Sequence, residues 1–148
     1  MRFLLFGLAL YLIPATQAQL TPPAPKPLVG ARHPALSPDG KRLAFVYRGD
    51  IWLADSKGGR ARPLTFHLEY DAYPVFSPDG HWIAFGSKRH GGWDIFVIPA
   101  EGGKARRLTW HSGHEIPFGW RPDGQQIAFG ARRDSPIYCL MSVEVATS

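Results

Sequence analysis

A four-residue segment recurs three times in this chain. It reads Ser37-Pro38-Asp39-Gly40, then Ser77-Pro78-Asp79-Gly80, then Arg121-Pro122-Asp123-Gly124, at intervals of 40 and 44 residues. A period of this size is the mark of a solenoid or propeller, whose units cannot bury their apolar faces alone. Three repeats are also too few to close a ring.

The repeat extends well beyond the turn. After each Asp-Gly come two residues and an apolar triplet, Leu43-Ala44-Phe45, Ile83-Ala84-Phe85 and Ile127-Ala128-Phe129. A second run follows, read as Ile51-Trp52-Leu53, Ile95-Phe96-Val97 and Ile137-Tyr138-Cys139. Gly58-Gly59 and Gly102-Gly103 then lead into basic stretches ending at Leu64-Thr65 and Leu108-Thr109. A fourth run precedes each Asp-Gly turn. Four short runs separated by Gly, Pro and Asp are the signature of strands and hairpins. The 16 Gly and 14 Pro oppose long helices. The expected fold is all-β: about three four-stranded antiparallel propeller blades, the last incomplete and the ring open. First-repeat strands are placed at 34–37, 42–47, 51–55 and 61–64, with no helix longer than two turns over 33–133.

The turn residues have separate tasks. Pro38, Pro78 and Pro122 preset φ at the second position of a type I turn, and Asp39, Asp79 and Asp123 tolerate the third. Gly40, Gly80 and Gly124 take the left-handed conformation that makes a bulge and keeps the strands in register. Along each triplet the faces alternate. Leu43/Phe45, Ile83/Phe85 and Ile127/Phe129 therefore share a bulky face, with Ala44, Ala84 and Ala128 on a small one. Two apolar faces suit a sheet held between two neighbours; a solvated face would carry polar residues at the Ala positions.

Residues 1–18 read as a secretory signal peptide. Arg2 starts it, Phe3 to Ile13 is apolar, and Thr16-Gln17-Ala18 places small residues for cleavage before Gln19. An 11-residue run is too short to span a bilayer, so no membrane span is expected after cleavage, and the chain is expected to be exported to the periplasm or secreted. Cleavage removes Arg2 and lowers the formal charge from +5 to +4. Residues 19–32 form a Pro-rich lead-in, and 33–148 the partial propeller, in repeats of about 33–65, 66–109 and 110–148. Arg60, Arg62, Lys104, Arg106 and Arg107 read as a solvated edge strand, and export argues against nucleic acid. Lone Cys139 takes the place of Leu53 and Val97 and reads as a small core hydrophobe.

Catalytic, metal and cofactor candidates are none. His67 and His111 recur at equivalent positions, which favours a loop role. His111-x-x-His114-Glu115 is not the helical His-Glu-x-x-His pattern, and no Gly-x-Ser-x-Gly elbow is present. Asp71 and Glu115 are equivalent, 44 residues apart. They are either surface-loop carboxylates or part of an acidic ring suited to basic or amino-terminal groups of a peptide or protein partner.

The pattern Pro-x-x-Ser-Pro-Asp-Gly-x-x-Ile-Ala-Phe, then Asp-Ile-aromatic, Gly-Gly and Leu-Thr, resembles the WD40-like PD40 propeller repeat found in TolB and tricorn protease. Tyr70 to Arg107, with Leu108 to Pro117, is similar to the N-terminal propeller of exported tricorn-like peptidases of the S41 family. The resemblance implies a non-catalytic propeller that gates or binds peptides beside a protease domain absent from this chain. Alternatives are a TolB-like periplasmic interaction module, or the propeller of another exported hydrolase of prolyl-oligopeptidase-like or amidohydrolase-like type. No catalytic residue of these families has a counterpart here. The third repeat departs from the pattern after Arg133, where the Gly-Gly turn is missing. With fewer blades than a ring needs, apolar faces are expected to stay uncovered and to make the chain poorly soluble or oligomeric.

Overall fold

The structure, a computed structural model, describes residues 26–133 and 136–145. The signal peptide and the first half of the Pro-rich lead-in expected from the sequence lie outside these residues. Blade one comprises β1 (Arg32–Leu36), β2 (Arg42–Tyr47), β3 (Asp50–Asp55) and β4 (Arg62–Pro63). Blade two comprises β5 (Asp71–Phe76), β6 (Trp82–His90), β7 (Gly92–Pro99) and β8 (Arg106–Arg107). Blade three has β9 (His114–Trp120), β10 (Gln126–Arg132) and β11 (Cys139–Glu144). Within each blade consecutive strands pair antiparallel. One parallel backbone pair, Trp93 with His114, joins blades two and three. The first strands β1, β5 and β9 lie side by side, so the blades fan from a common axis.

Each Asp-Gly turn closes β1–β2, β5–β6 or β9–β10. Gly40 N–H donates to the Ser37 carbonyl at 2.8 Å, and Gly40, Gly80 and Gly124 sit at φ 70, 72 and 70°. Ser37 Oγ donates to Asp39 Oδ1 at 2.6 Å and accepts from Arg42 N–H at 2.9 Å; Ser77 repeats this with Asp79 and Trp82. Arg121 replaces the serine in blade three with an ion pair to Asp123 at 3.5 Å. The other hairpin of blade one turns on Arg48 and Gly49, at φ 53 and 89°. Two left-handed residues make the tight turn that matches strand twist.

The blades stack small face on bulky face. Ala44, Val46, Ile51 and Leu53 of blade one bury Ile83, Phe85, Phe96 and Ile98 of blade two. Ala84, Ile95 and Val97 of blade two bury Ile127, Phe129 and Ala131 of blade three. Each fully buried Phe or Ile contributes roughly 1.5–3 kcal/mol. The seam is therefore worth more than the few backbone bonds that cross it. The two outermost faces have no such cover: Leu36 on blade one is 61 % exposed and Leu140 on blade three 76 %.

The third blade departs from the expected alignment. Phe129 faces Met141 just as Phe85 faces Phe96, so the strand core is Leu140-Met141-Ser142 and not Ile137-Tyr138-Cys139. Residues between Arg133 and Cys139 push the strand onset later. Cys139 then falls opposite Ala131, at the end of an uncovered strand, and is exposed, not a core residue.

This packing predicts opposite outcomes for two alanines at equivalent positions. Ala84→Leu overfills a closed seam and should cost about 1–3 kcal/mol. Ala128→Leu, on the uncovered face of blade three, should be near neutral. Urea unfolding of the two variants checks this, and equal costs would overturn the face assignment.

Candidate functional site

The Asp-Gly turns occupy one end of the blades. The β2–β3 and β6–β7 hairpins and the connectors between blades occupy the other, because successive strands alternate in direction. The buried acidic side chains all lie at this connector end. Asp71 pairs with Ser87, and Ser87 with Asp94, directly across β5, β6 and β7. Directly opposed residues share a face, so this polar row caps the bulky face whose deeper members are Phe85 and Phe96.

Asp71, Asp94 and Glu115 are all fully buried. Each has one arginine. Arg89 Nη2 donates to Asp71 Oδ2 at 2.6 Å, Arg107 Nη2 lies 2.9 Å from Asp94 Oδ2, and Arg133 Nη2 donates to Glu115 Oε1 at 2.7 Å. Arg89 also lies over the Phe85 and Phe96 rings, at 5.6 and 5.3 Å. Asp71 Oδ1, both carboxylate oxygens of Asp94 and Glu115 Oε2 are buried without a hydrogen-bond partner among the described residues. Burial pushes the Asp94 carboxyl above its ordinary range. Its close pairing with the Arg107 guanidinium pulls the other way and is outweighed, and neighbouring Glu115 adds to the upward shift.

Asp71 and Glu115 thus stand at the start of the axial strands β5 and β9, not in loops, and each is enclosed by an arginine of the following hairpin. Arg89 is carried by the β6–β7 hairpin, which is longer than the two-residue turn of blade one. Sequence reasoning passed over Arg89, Asp94 and Arg133 as site residues. A signal was present: Arg89 and Arg133 recur 44 residues apart, the same offset as Asp71 and Glu115. Arg107, expected on a solvated edge, instead serves Asp94, and its Nε donates to the Thr109 carbonyl at 2.7 Å. His67 and His111 each accept, through Nδ1, a backbone N–H two residues on, at 3.0 and 2.9 Å. Among the described residues no three His, Cys, Asp or Glu side chains converge to hold a metal ion.

Two predictions follow from these charges. Arg89→Ala strands a buried carboxylate and should cost about 3–5 kcal/mol, whereas Asp71→Asn with Arg89→Gln should cost clearly less; chemical denaturation compares them. The second concerns pH. The serine hydroxyl, then a backbone N–H, hold Asp39 and Asp79 below the usual carboxylate range. That contribution is present above the unfolded value, about 4, and is lost as pH falls through the folded one. Asp94 is raised, so it works against the fold as pH climbs through its folded value. Between pH 7 and 3, Asp39→Asn/Asp79→Asn should lose less stability than the parent in urea midpoints, and an identical profile would refute the assignment.

The profile of the family described as tricorn protease N-terminal beta propeller domain matches residues 29–147. The chain is 34 % identical over 74 residues to the uncharacterized peptidase YuxL of Bacillus subtilis, covering 43 % of this chain and 11 % of that protein. It is 48 % identical over 59 residues to a Streptomyces coelicolor protein named as tricorn protease homolog 2, covering 39 % and 5 %. Among solved structures, a TolB-type protein from Agrobacterium tumefaciens superposes with TM-score 0.70 at 25 % identity, over 79 % of this chain and 46 % of that one. Tricorn protease superposes with TM-score 0.59 at 27 % identity, over 68 % and 10 %. The chain spans about a tenth or less of the length of these curated relatives.

Proposed function

Because this chain belongs to the family of the tricorn protease N-terminal β-propeller domain, we propose that it is the non-catalytic propeller portion of an exported tricorn-like S41 peptidase, where it binds or gates peptides beside a protease domain. The observation that carries this reading is the family match over nearly all the described blades. The buried carboxylates agree with it: Asp71, Asp94 and Glu115 are each held by an arginine at the connector end, as charges that tie the blades together are. A second reading, a TolB-like periplasmic module for protein partners, is favoured by the superposition on the TolB-type structure. The third, the propeller of another exported hydrolase, draws on the likeness to YuxL.

Signal cleavage between Ala18 and Gln19, periplasmic or secreted location, and the domain limits given above belong to the same proposal. Asp71 and Glu115, expected as partner contacts, are enclosed by Arg89 and Arg133, so their part in partner contact is indirect, through the shape of the connector end that these pairs hold.

The coding sequence downstream of codon 148 decides among the three. A catalytic region of the S41 type in any frame supports the first, and a different hydrolase region the third. On expression with its leader, the exported chain should begin at Gln19 by N-terminal sequencing and should leave a fluorogenic peptide mixture uncleaved. Turnover lost on replacing a Ser or His of this chain would overturn the non-catalytic assignment.

A further inference from the structure

Exposed large hydrophobic side chains are distributed unevenly over the molecule. Phe66, Leu68, Tyr70, Trp110, Ile137 and Tyr138 all lie in loops of the connector end; Leu36, at the end of β1, stands beside an opposite-end turn, Phe118 and Leu140 lie within strands, and Leu28 and Val29 precede β1. Phe66 and Trp110 occupy equivalent positions in successive connectors and are 93 and 71 % exposed. Neither is loosely placed. The residue before each is a buried threonine whose Oγ1 accepts a strand N–H, from Ile51 or Ile95, at 2.9 Å. The residue after each is the histidine that accepts a backbone N–H two positions on. Both connectors are therefore built to hold an aromatic ring out in solvent.

Cations accompany the rings. Arg48 lies over Tyr47, Lys88 over Trp93, Arg107 over Trp110 and Arg132 over Tyr138, each within 5.8 Å of the ring centre. The ion pairs at this end engage Arg89, Arg107 and Arg133. Arg48, Lys88 and Arg132 keep no carboxylate partner among the described residues, and the buried acids are already enclosed. A ligand approaching this end meets aromatic faces and cationic N–H edges, with Glu69 the exposed acid between them.

We propose that the connector end is a docking surface for an extended acidic peptide segment bearing aromatic or aliphatic side chains. Its carboxylates meet Arg48, Lys88 and Arg132, and its apolar side chains lie against Phe66, Trp110 and Tyr138. This deepens the peptide-binding reading above and rests on it. Exposed aromatic and arginine side chains are the types that dominate binding energy at protein interfaces. A bilayer would instead ask for a continuous apolar surface, whereas each ring here is bracketed by hydrogen-bonding or charged groups.

The test is an array of twelve-residue peptides of acidic–apolar, basic–apolar, neutral and proline-rich composition, incubated with the full chain, with affinities then measured by fluorescence anisotropy. Acidic–apolar peptides should be retained. Phe66→Ala/Trp110→Ala should weaken them at least tenfold, as should Arg48→Glu/Lys88→Glu/Arg132→Glu. Lys41→Glu/Lys57→Glu/Lys104→Glu, at the opposite end, should leave affinity within twofold. Thermal melts confirm that the variants fold. Retention of another peptide class, or insensitivity to the connector-end variants, would overturn this proposal and leave the broader peptide-binding reading standing; binding to phosphatidylserine vesicles in place of any peptide would overturn both. Retention of no peptide at all would overturn both.

Discussion

The depth left by a methyl group decides how these sheets assemble. Ala44 and Ala84 stand where any longer side chain would hold the next blade off, and Phe85 and Phe129 occupy the space so released. Interiors pack at near-crystalline density, so the interval between blades is set by the sum of one small and one bulky layer. Register, the convergence of β1, β5 and β9, and the closeness of the charged residues all depend on that interval.

The polar row at the connector end depends on it too. Asp71 and Asp94 flank Ser87 on the same face as Phe85, and lose their water because the neighbouring blade closes over that face. Burying a carboxylate in this way is costly unless a cation accompanies it. The long β6–β7 hairpin supplies Arg89, and β8 supplies Arg107. Blade one, with its tight Arg48-Gly49 turn, has neither the hairpin extension nor an acid equivalent to Asp71; Ala31 stands at that place.

Much of this was legible in the sequence because it is local. The Pro-Asp-Gly turns carry their own hydrogen-bonding groups, and the Leu/Ile-Ala-Phe alternation states which faces are small and which bulky. What escaped was non-local or shifted. The pairing of Asp71 with Arg89 requires knowing that a lengthened hairpin folds back over the first strand, although the shared 44-residue recurrence hinted at it. Cys139 was misplaced because residues inserted after Arg133 move the last strand out of step with the motif. Asp94 is only one letter of the Asp-Ile-aromatic pattern in the sequence, and its position opposite Ser87 and near Glu115 makes it a buried acid.

The seams between blades are almost wholly side-chain seams, with the Trp93–His114 pair and the bond from Asp71 N–H to the Gly49 carbonyl among the few backbone ties that cross them. Hydrogen-bonded ladders resist sliding because each step breaks bonds of fixed direction, whereas apolar contacts can be exchanged for similar ones nearby. The molecule is accordingly stiff along its strands and compliant between its sheets. Force or binding energy applied at the connector end is taken up as a small shear of one blade against the next, with the ladder inside each blade left intact.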